Sequence, residues 1–156
     1  NNKIEHDFSR FDISQLIEKT YDLYQSQIKY LEIDVEFNYY NKMVYTDKTC
    51  LSIILKNIIK NSLESAIDYN HKPFSRIQTE QVADYFKITL ENTTSNKEHI
   101  LSRIFTPGFT TKKGGANMGH GLYLSKKLIE DLGGTINIEI HNDIFKVTIL
   151  LPNKEN

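Results

Sequence analysis

The sequence predicts an α+β fold: a two-layer α/β sandwich with three long helices on one face of a mixed, mostly antiparallel sheet of about five strands. Two observations carry that expectation. Apolar residues recur at helical spacing in three stretches, beginning near Ile13, Asp47 and Gly121. Between and after them lie short runs rich in Ile, Val, Phe and Thr, separated by turn residues and read as strands paired with their sequence neighbours.

Residues 1–12 are polar and read as a linker. From Ile13 the spacing Ile13, Leu16, Ile17, Tyr21, Tyr24, Ile28 is that of one helix, with Asp12 as N-cap because its carboxylate can accept from a free N–H of the first turn. Ile33-Asp34-Val35-Glu36-Phe37 alternates like a half-buried strand, and Met43-Val44-Tyr45 reads as a short second one. Asp47 is placed to cap the main helix, which runs to about Tyr69 and ends at Asn70-His71-Lys72-Pro73. Strands are expected over 75–80 and 85–90, a helical turn over 100–105, and a mobile loop over 106–118 containing Pro107, Gly108, Gly114 and Gly115. The helix from Gly121 and a closing hairpin around His141-Asn142-Asp143 complete a single domain over 13–152, with 153–156 as a tail.

The 156 residues suffice for one buried core, and 39% apolar with 25% charged residues is the balance of a globular domain. A formal charge of −1 gives no general attraction to nucleic acid or anionic lipid, so no nucleic-acid partner is expected. No apolar run approaches a membrane span, and Asn1-Asn2-Lys3-Ile4-Glu5-His6 is not a signal peptide. The single Cys50 has no intrachain partner; it is expected to be a buried small hydrophobe in a reducing compartment.

The chemistry concentrates in three places. On the main helix Asn57, Asn61 and Glu64 share a stripe amid apolar residues. A carboxamide oxygen is a ligand for a hard cation, and burying such groups without partners costs about 1–3 kcal/mol each. The segment Phe105-Thr-Pro-Gly-Phe-Thr-Thr-Lys-Lys-Gly-Gly115 has the hydroxyls (Thr110, Thr111), the charges (Lys112, Lys113) and the hinge glycines of a lid over phosphates. Asn117-Met-Gly-His-Gly-Leu122 is a glycine-spaced turn entering a helix, where backbone N–H groups and the dipole favour an anion. It lacks the preceding strand of a dinucleotide-binding fingerprint and the Gly-Lys-Ser/Thr ending of a P-loop. Cation ligands and a phosphate cradle together point to a Mg-nucleotide site.

The order of these pieces resembles the ATP-binding catalytic domain of sensor histidine kinases, in the Bergerat-fold (GHKL) superfamily of gyrases, chaperones, kinases and mismatch-repair proteins. Leu55-Lys-Asn-Ile-Ile-Lys-Asn-Ser-Leu-Glu-Ser-Ala66 resembles the N box, Arg103-Ile-Phe-Thr-Pro-Gly-Phe-Thr-Thr-Lys112 the F box and lid, and Gly119-His-Gly-Leu-Tyr-Leu-Ser-Lys-Lys-Leu128 the G2 box. Phe11-Asp12-Ile13 resembles the usual entry from the dimerisation helices, and Gly133-Gly134-Thr135-Ile136 with Leu151-Pro152 the closing hairpin.

The resemblance implies ATP and Mg²⁺ as cofactors. Asn61 takes the Mg-ligating place, with Asn57 as a second candidate, and Glu64 is placed to ligate or orient. Asn57 stands where ATP-hydrolysing relatives keep a water-activating Glu, so little hydrolysis is expected. Phe105, Thr110, Thr111 and Lys112 belong to the lid, and Gly119, His120, Gly121 and Leu122 to the phosphate turn, His120 without a catalytic role. The G1 box departs from the family: Ile88-Thr-Leu-Glu-Asn-Thr-Thr-Ser95 has neither its Asp nor its glycines, and strand register puts Asn92 in the adenine-reading position. Phe145 stands where many members carry Thr near the adenine.

The Asn-for-Asp change and the Asn61-Ser-Leu-Glu-Ser-Ala66 sequence resemble peptide-pheromone (quorum-sensing) kinases, with citrate-sensing kinases next. His6-Asp7 resembles the His-acid pair of a phosphoacceptor only superficially, so the accepting histidine is expected on a separate dimerisation domain. The partners implied are that domain and a response regulator; the location is a cytoplasmic domain of a homodimeric membrane kinase. A non-catalytic docking module with an eroded G1 box, and a GHKL serine kinase or ATPase, are the alternatives.

Overall fold

The computed structural model describes residues 5–66, 72–95, 103–106 and 118–154, the side chains of 118–120 excepted. A five-stranded sheet has the order β2-β4-β5-β7-β6, built from β2 (Asp34–Tyr39), β4 (Phe74–Val82), β5 (Tyr85–Thr93), β6 (Thr135–His141) and β7 (Ile144–Pro152). Only β2 and β4 run parallel; the other three pairings are antiparallel. Strict alternation along β4, β5 and β7 puts Ser75, Ile77, Thr79, Phe86, Ile88, Leu90, Asn92, Phe145, Val147, Ile149 and Leu151 on a buried face. Against it pack α1 (Ile13–Asp22), α3 (Lys48–Ala66) and α4 (Met118–Asp131), as expected for a two-layer sandwich. The core of α3 is apolar nearly all round, because its residues meet the sheet on one side and α1 and α4 on the others.

Local chemistry sets the element ends. Asp12 caps α1 by accepting from the Ser14 N–H at 2.8 Å, and Asp47 Oδ1 accepts from the Cys50 N–H at 3.0 Å at the start of α3. Helix α4 stops in a Schellman turn: Gly133 (φ 85°) donates to Glu130, and Gly134 donates to the Ile129 carbonyl. A Cβ on Gly134 would lie 2.3 Å from the Leu150 carbonyl oxygen, so the close approach of α4 to β7 requires glycine there. Asn142 and Asp143 (φ 50° and 64°) make the tight turn of the closing hairpin, as their side-chain chemistry allows.

Five expectations need correction. Residues 8–12 of the predicted linker form a strand, β1 (Phe8–Asp12), antiparallel to β3 (Met43–Asp47). That pair is a separate two-stranded sheet, so β3 does not pair with its neighbour β2. The helix from Ile13 breaks at Leu23-Tyr24, where Tyr24 leaves the helical backbone (φ −112°, ψ 19°), and resumes as α2 (Gln25–Tyr30), whose Ile28 still packs against the core. Helix α4 begins at Met118 rather than Gly121. Asn153 is not tail: its side-chain oxygen accepts from the Tyr45 N–H at 2.7 Å and its backbone N–H donates to the Asp84 carbonyl, tying β3 to the end of β7 and the β4–β5 turn. Among the described residues no helix is long and apolar enough to cross a membrane.

Candidate functional site

Two of the motif regions seen in sequence, the amide stripe of α3 and the glycine-spaced start of α4, meet in the structure, and α3 also packs on β5, which carries Asn92. Asn61 projects from α3 into the interior, 7% exposed, and its amide Nδ2 has no hydrogen-bond partner. One turn earlier, Asn57 is half-buried beside the first turn of α4: a Cβ on Gly121 would meet Asn57 Cγ and Oδ1 at 3.4 Å. That contact juxtaposes the amide stripe of α3 with the glycine-spaced turn. Glu64, also half-buried, lies 3.8 Å from the Lys60 ammonium. Burial, and then the charge of Glu64, push the Tyr24 phenol above its ordinary range.

Asn92 is fully buried near the end of β5. Its Nδ2 donates to the Thr93 carbonyl at 2.8 Å, which orients the amide and leaves Oδ1 without a donor. A buried acceptor left bare costs about 1–3 kcal/mol, so this oxygen is set up to receive an amino or N–H group. Across the ladder Asn92 stands opposite Ser75 on β4 and Phe145 on β7, both on the same buried face.

Because α4 starts at Met118, the N–H groups of residues 118–120 have no acceptor within the helix. Gly119, His120 and Gly121 are therefore in the helix rather than before it, with Gly121 against Asn57 and Leu122 buried in the core. Phe105 is half-buried against the core, and the Lys126 ammonium sits 4.9 Å above its ring, which joins the turn at 103–106 to α4. Thr110, Thr111 and Lys112, with Lys113, lie outside the described residues.

Sequence reasoning missed a buried polar chain. The Tyr21 hydroxyl hydrogen-bonds Ser75 Oγ at 2.7 Å, which meets Ser62 Oγ at 2.9 Å, so α1, β4 and α3 are joined beside Asn92 and Asn61. Burial pushes the Tyr21 phenol far above its usual value, the bond to Ser75 opposing this, so it stays neutral. Ser125 on α4 is also fully buried, with no hydrogen-bond partner for its hydroxyl. The available signal was a serine at a position where helical or strand periodicity calls for an apolar residue: Ser62, Ser75 and Ser125 all fit it.

Residues 47–152 match the family model described as GHKL domain. A probable C4-dicarboxylate sensor kinase of Bacillus subtilis is 31% identical over 100 residues, 62% of this chain and 18% of that protein. The sensor protein kinase GraS of Staphylococcus aureus is 29% identical over 126 residues, 79% of this chain and 35% of that protein. The chain thus spans well under half the length of the curated relatives it matches. Among solved structures, the catalytic domain of histidine kinase ThkA superposes with a TM-score of 0.82 at 28% identity, covering 94% of this chain and 96% of that one. ThkA has also been solved in complex with the response regulator protein TrrA. Sequence match and superposition agree with the packing of α3 against α4 and β5: this chain belongs to the GHKL domain family and has the fold of a histidine kinase catalytic domain.

Proposed function

We propose that this domain binds Mg-ATP and presents its γ-phosphoryl group to a histidine on a dimerisation domain of the same parent protein, the first step of two-component signalling. The observation that carries the reading is the bare, fully buried Oδ1 of Asn92, facing the helix layer that holds the unpartnered amide of Asn61. A structural module has no use for two buried polar atoms left unpaired; a nucleotide-binding one does.

In this reading Asn92 Oδ1 accepts from the adenine amino group, and the neutral amide makes a weaker bond than a carboxylate would. Phe145, beside it on β7, offers apolar surface to the base. The carboxamide oxygen of Asn61, with that of Asn57 as second candidate and Glu64 orienting, would hold Mg²⁺, which would supply neutralisation of phosphate charge. The first-turn N–H groups of α4 accommodate phosphate oxygens, and the lid residues Thr110, Thr111 and Lys112 close over them. The side chains contribute position and charge compensation, with no group at Asn57 able to activate water. A response regulator is the downstream acceptor, the parent is a homodimeric membrane kinase, and the Asn-for-Asp G1 box with the Asn61–Ala66 sequence is most like the pattern of peptide-pheromone kinases, with citrate-sensing kinases next.

Calorimetric titration with ATP and ADP, with and without Mg²⁺, tests the site beside Asn61→Ala. Saturable Mg-dependent ATP binding that the variant loses is the expected result. Equal binding by the variant overturns the assignment of Asn61. No binding at millimolar nucleotide replaces the kinase reading with that of a docking module.

A further inference from the structure

Outside the nucleotide site, three side chains with metal-ligating atoms meet at the start of α3. His6 Nδ1 lies 3.3 Å from Asp47 Oδ2 and 3.5 Å from Cys50 Sγ. All three ligand atoms fall within 4.8 Å of one another. His6 comes from the segment before β1, 41 residues from Asp47 and 44 from Cys50, so tertiary structure alone assembles the group.

We propose that His6, Asp47 and Cys50 form a binding site for one zinc-class divalent cation, which clips the segment before β1 to the N-terminus of α3. The distances support it. Tetrahedral zinc, with bonds of about 2.0–2.1 Å to nitrogen or oxygen and about 2.3 Å to sulfur, sets neighbouring N and O ligands about 3.3 Å apart and N and S ligands about 3.5 Å apart. The observed separations of 3.3 and 3.5 Å already have those values. One imidazole nitrogen, one carboxylate oxygen and one thiolate are a borderline-soft set that suits Zn²⁺ better than Mg²⁺ or Ca²⁺. Solvent completes the fourth position.

The ligands are held in place before any ion arrives. Asp47 Oδ1 is fixed by the Cys50 N–H, and Oδ2 accepts from the Asp7 N–H at 3.1 Å. The His6 ring packs edge-on against Phe8, with centroids 6.2 Å apart, and Phe8 in turn packs on Tyr45. Cys50 is buried, as its apolar neighbourhood predicted, but its sulfur faces an imidazole and a carboxylate, which a plain hydrophobe would not need. On binding, the thiol proton leaves to solvent, and Sγ, Nδ1 and Oδ2 each form one coordinate bond to the cation. The clip would hold residues 6–12 onto the helix that carries Asn57 and Asn61.

The test is titration of the reduced, metal-free 156-residue chain with Co²⁺, followed by absorption, and then displacement with Zn²⁺. The expected result is one Co²⁺ per chain, with the ligand-field bands of a tetrahedral site and a thiolate-to-cobalt charge-transfer band, both bleached by Zn²⁺. Cys50→Ser should lose the charge-transfer band. His6→Ala, which removes a side chain outside the core, should keep the unfolding transition of the wild type and weaken Co²⁺ binding at least about tenfold. Absence of the charge-transfer band in the wild type, or equal Co²⁺ affinity in wild type and His6→Ala, overturns the site. Neither readout depends on nucleotide binding.

Discussion

Gly121 on α4 sits directly against the side chain of Asn57 on α3, where an added Cβ would lie 3.4 Å from Asn57 Cγ and Oδ1. A Gly in a helix costs about 1 kcal/mol relative to Ala. Gly121→Ala should therefore keep the fold and raise stability by up to about 1 kcal/mol. Gly121→Val adds two branches that meet Asn57 and should displace that amide, lowering ATP affinity while the fold survives. Thermal unfolding and nucleotide titration of the two variants separate these effects.

Asn92 Oδ1 is the acceptor without a donor. Asn92→Leu removes the unpaired Oδ1 together with the hydrogen bond from Nδ2 to the Thr93 carbonyl, two opposed effects, and should leave stability within about 1 kcal/mol of wild type. ATP binding should fall by tenfold or more in the same protein. A stable variant that binds ATP like wild type would show that the adenine is read elsewhere.

The chain Tyr21–Ser75–Ser62 predicts an order of costs. Tyr21→Phe removes an end and leaves Ser75 and Ser62 paired, for a loss of about 1 kcal/mol. Ser75→Ala removes the middle and strands two buried hydroxyls, so it should cost about 2 kcal/mol or more. Urea unfolding of the two variants gives the comparison directly.

Asp47 is a cap with a depressed pKa. Burial acts to raise it, but hydrogen bonds from the Cys50 and Asp7 N–H groups and from His6 outweigh that and hold it below the ordinary 3.8. The folded value lies below the unfolded one, so the stabilisation is full above about pH 4 and is lost as pH falls through the folded value. Asp47→Ala should cost about 1–2 kcal/mol at neutral pH, as loss of a helix cap does. The variant should also show a shallower decline of stability below pH 4 in acid unfolding monitored by circular dichroism.

Much of the fold was legible because local chemistry and long-range packing agree in it. Asp12 and Asp47 cap the helices they precede in sequence, and Asn142-Asp143 turns the hairpin it was read to turn, because each acts within three residues of itself. Alternation in β5 and β7 reports a sheet covered on one face, and the covering helices are the three that periodicity identified. Residues 8–12 were opaque because a two-stranded ribbon with exposed side chains carries no apolar pattern. The break at Leu23-Tyr24 was hidden because helical spacing continues across it.

The sequence by itself determined that the amides of α3 share a stripe and that glycines open α4, since spacing along one chain decides both. Only tertiary structure decided that Gly121 abuts Asn57, that Ser75 joins Tyr21 to Ser62, and that His6 faces Asp47 and Cys50. These pairs are 41 to 64 residues apart or bridge three elements, and no periodicity encodes a distance between elements. Their meeting is set by how α3 seats between the sheet, α1, α4 and β1, a packing decided by the whole buried surface at once.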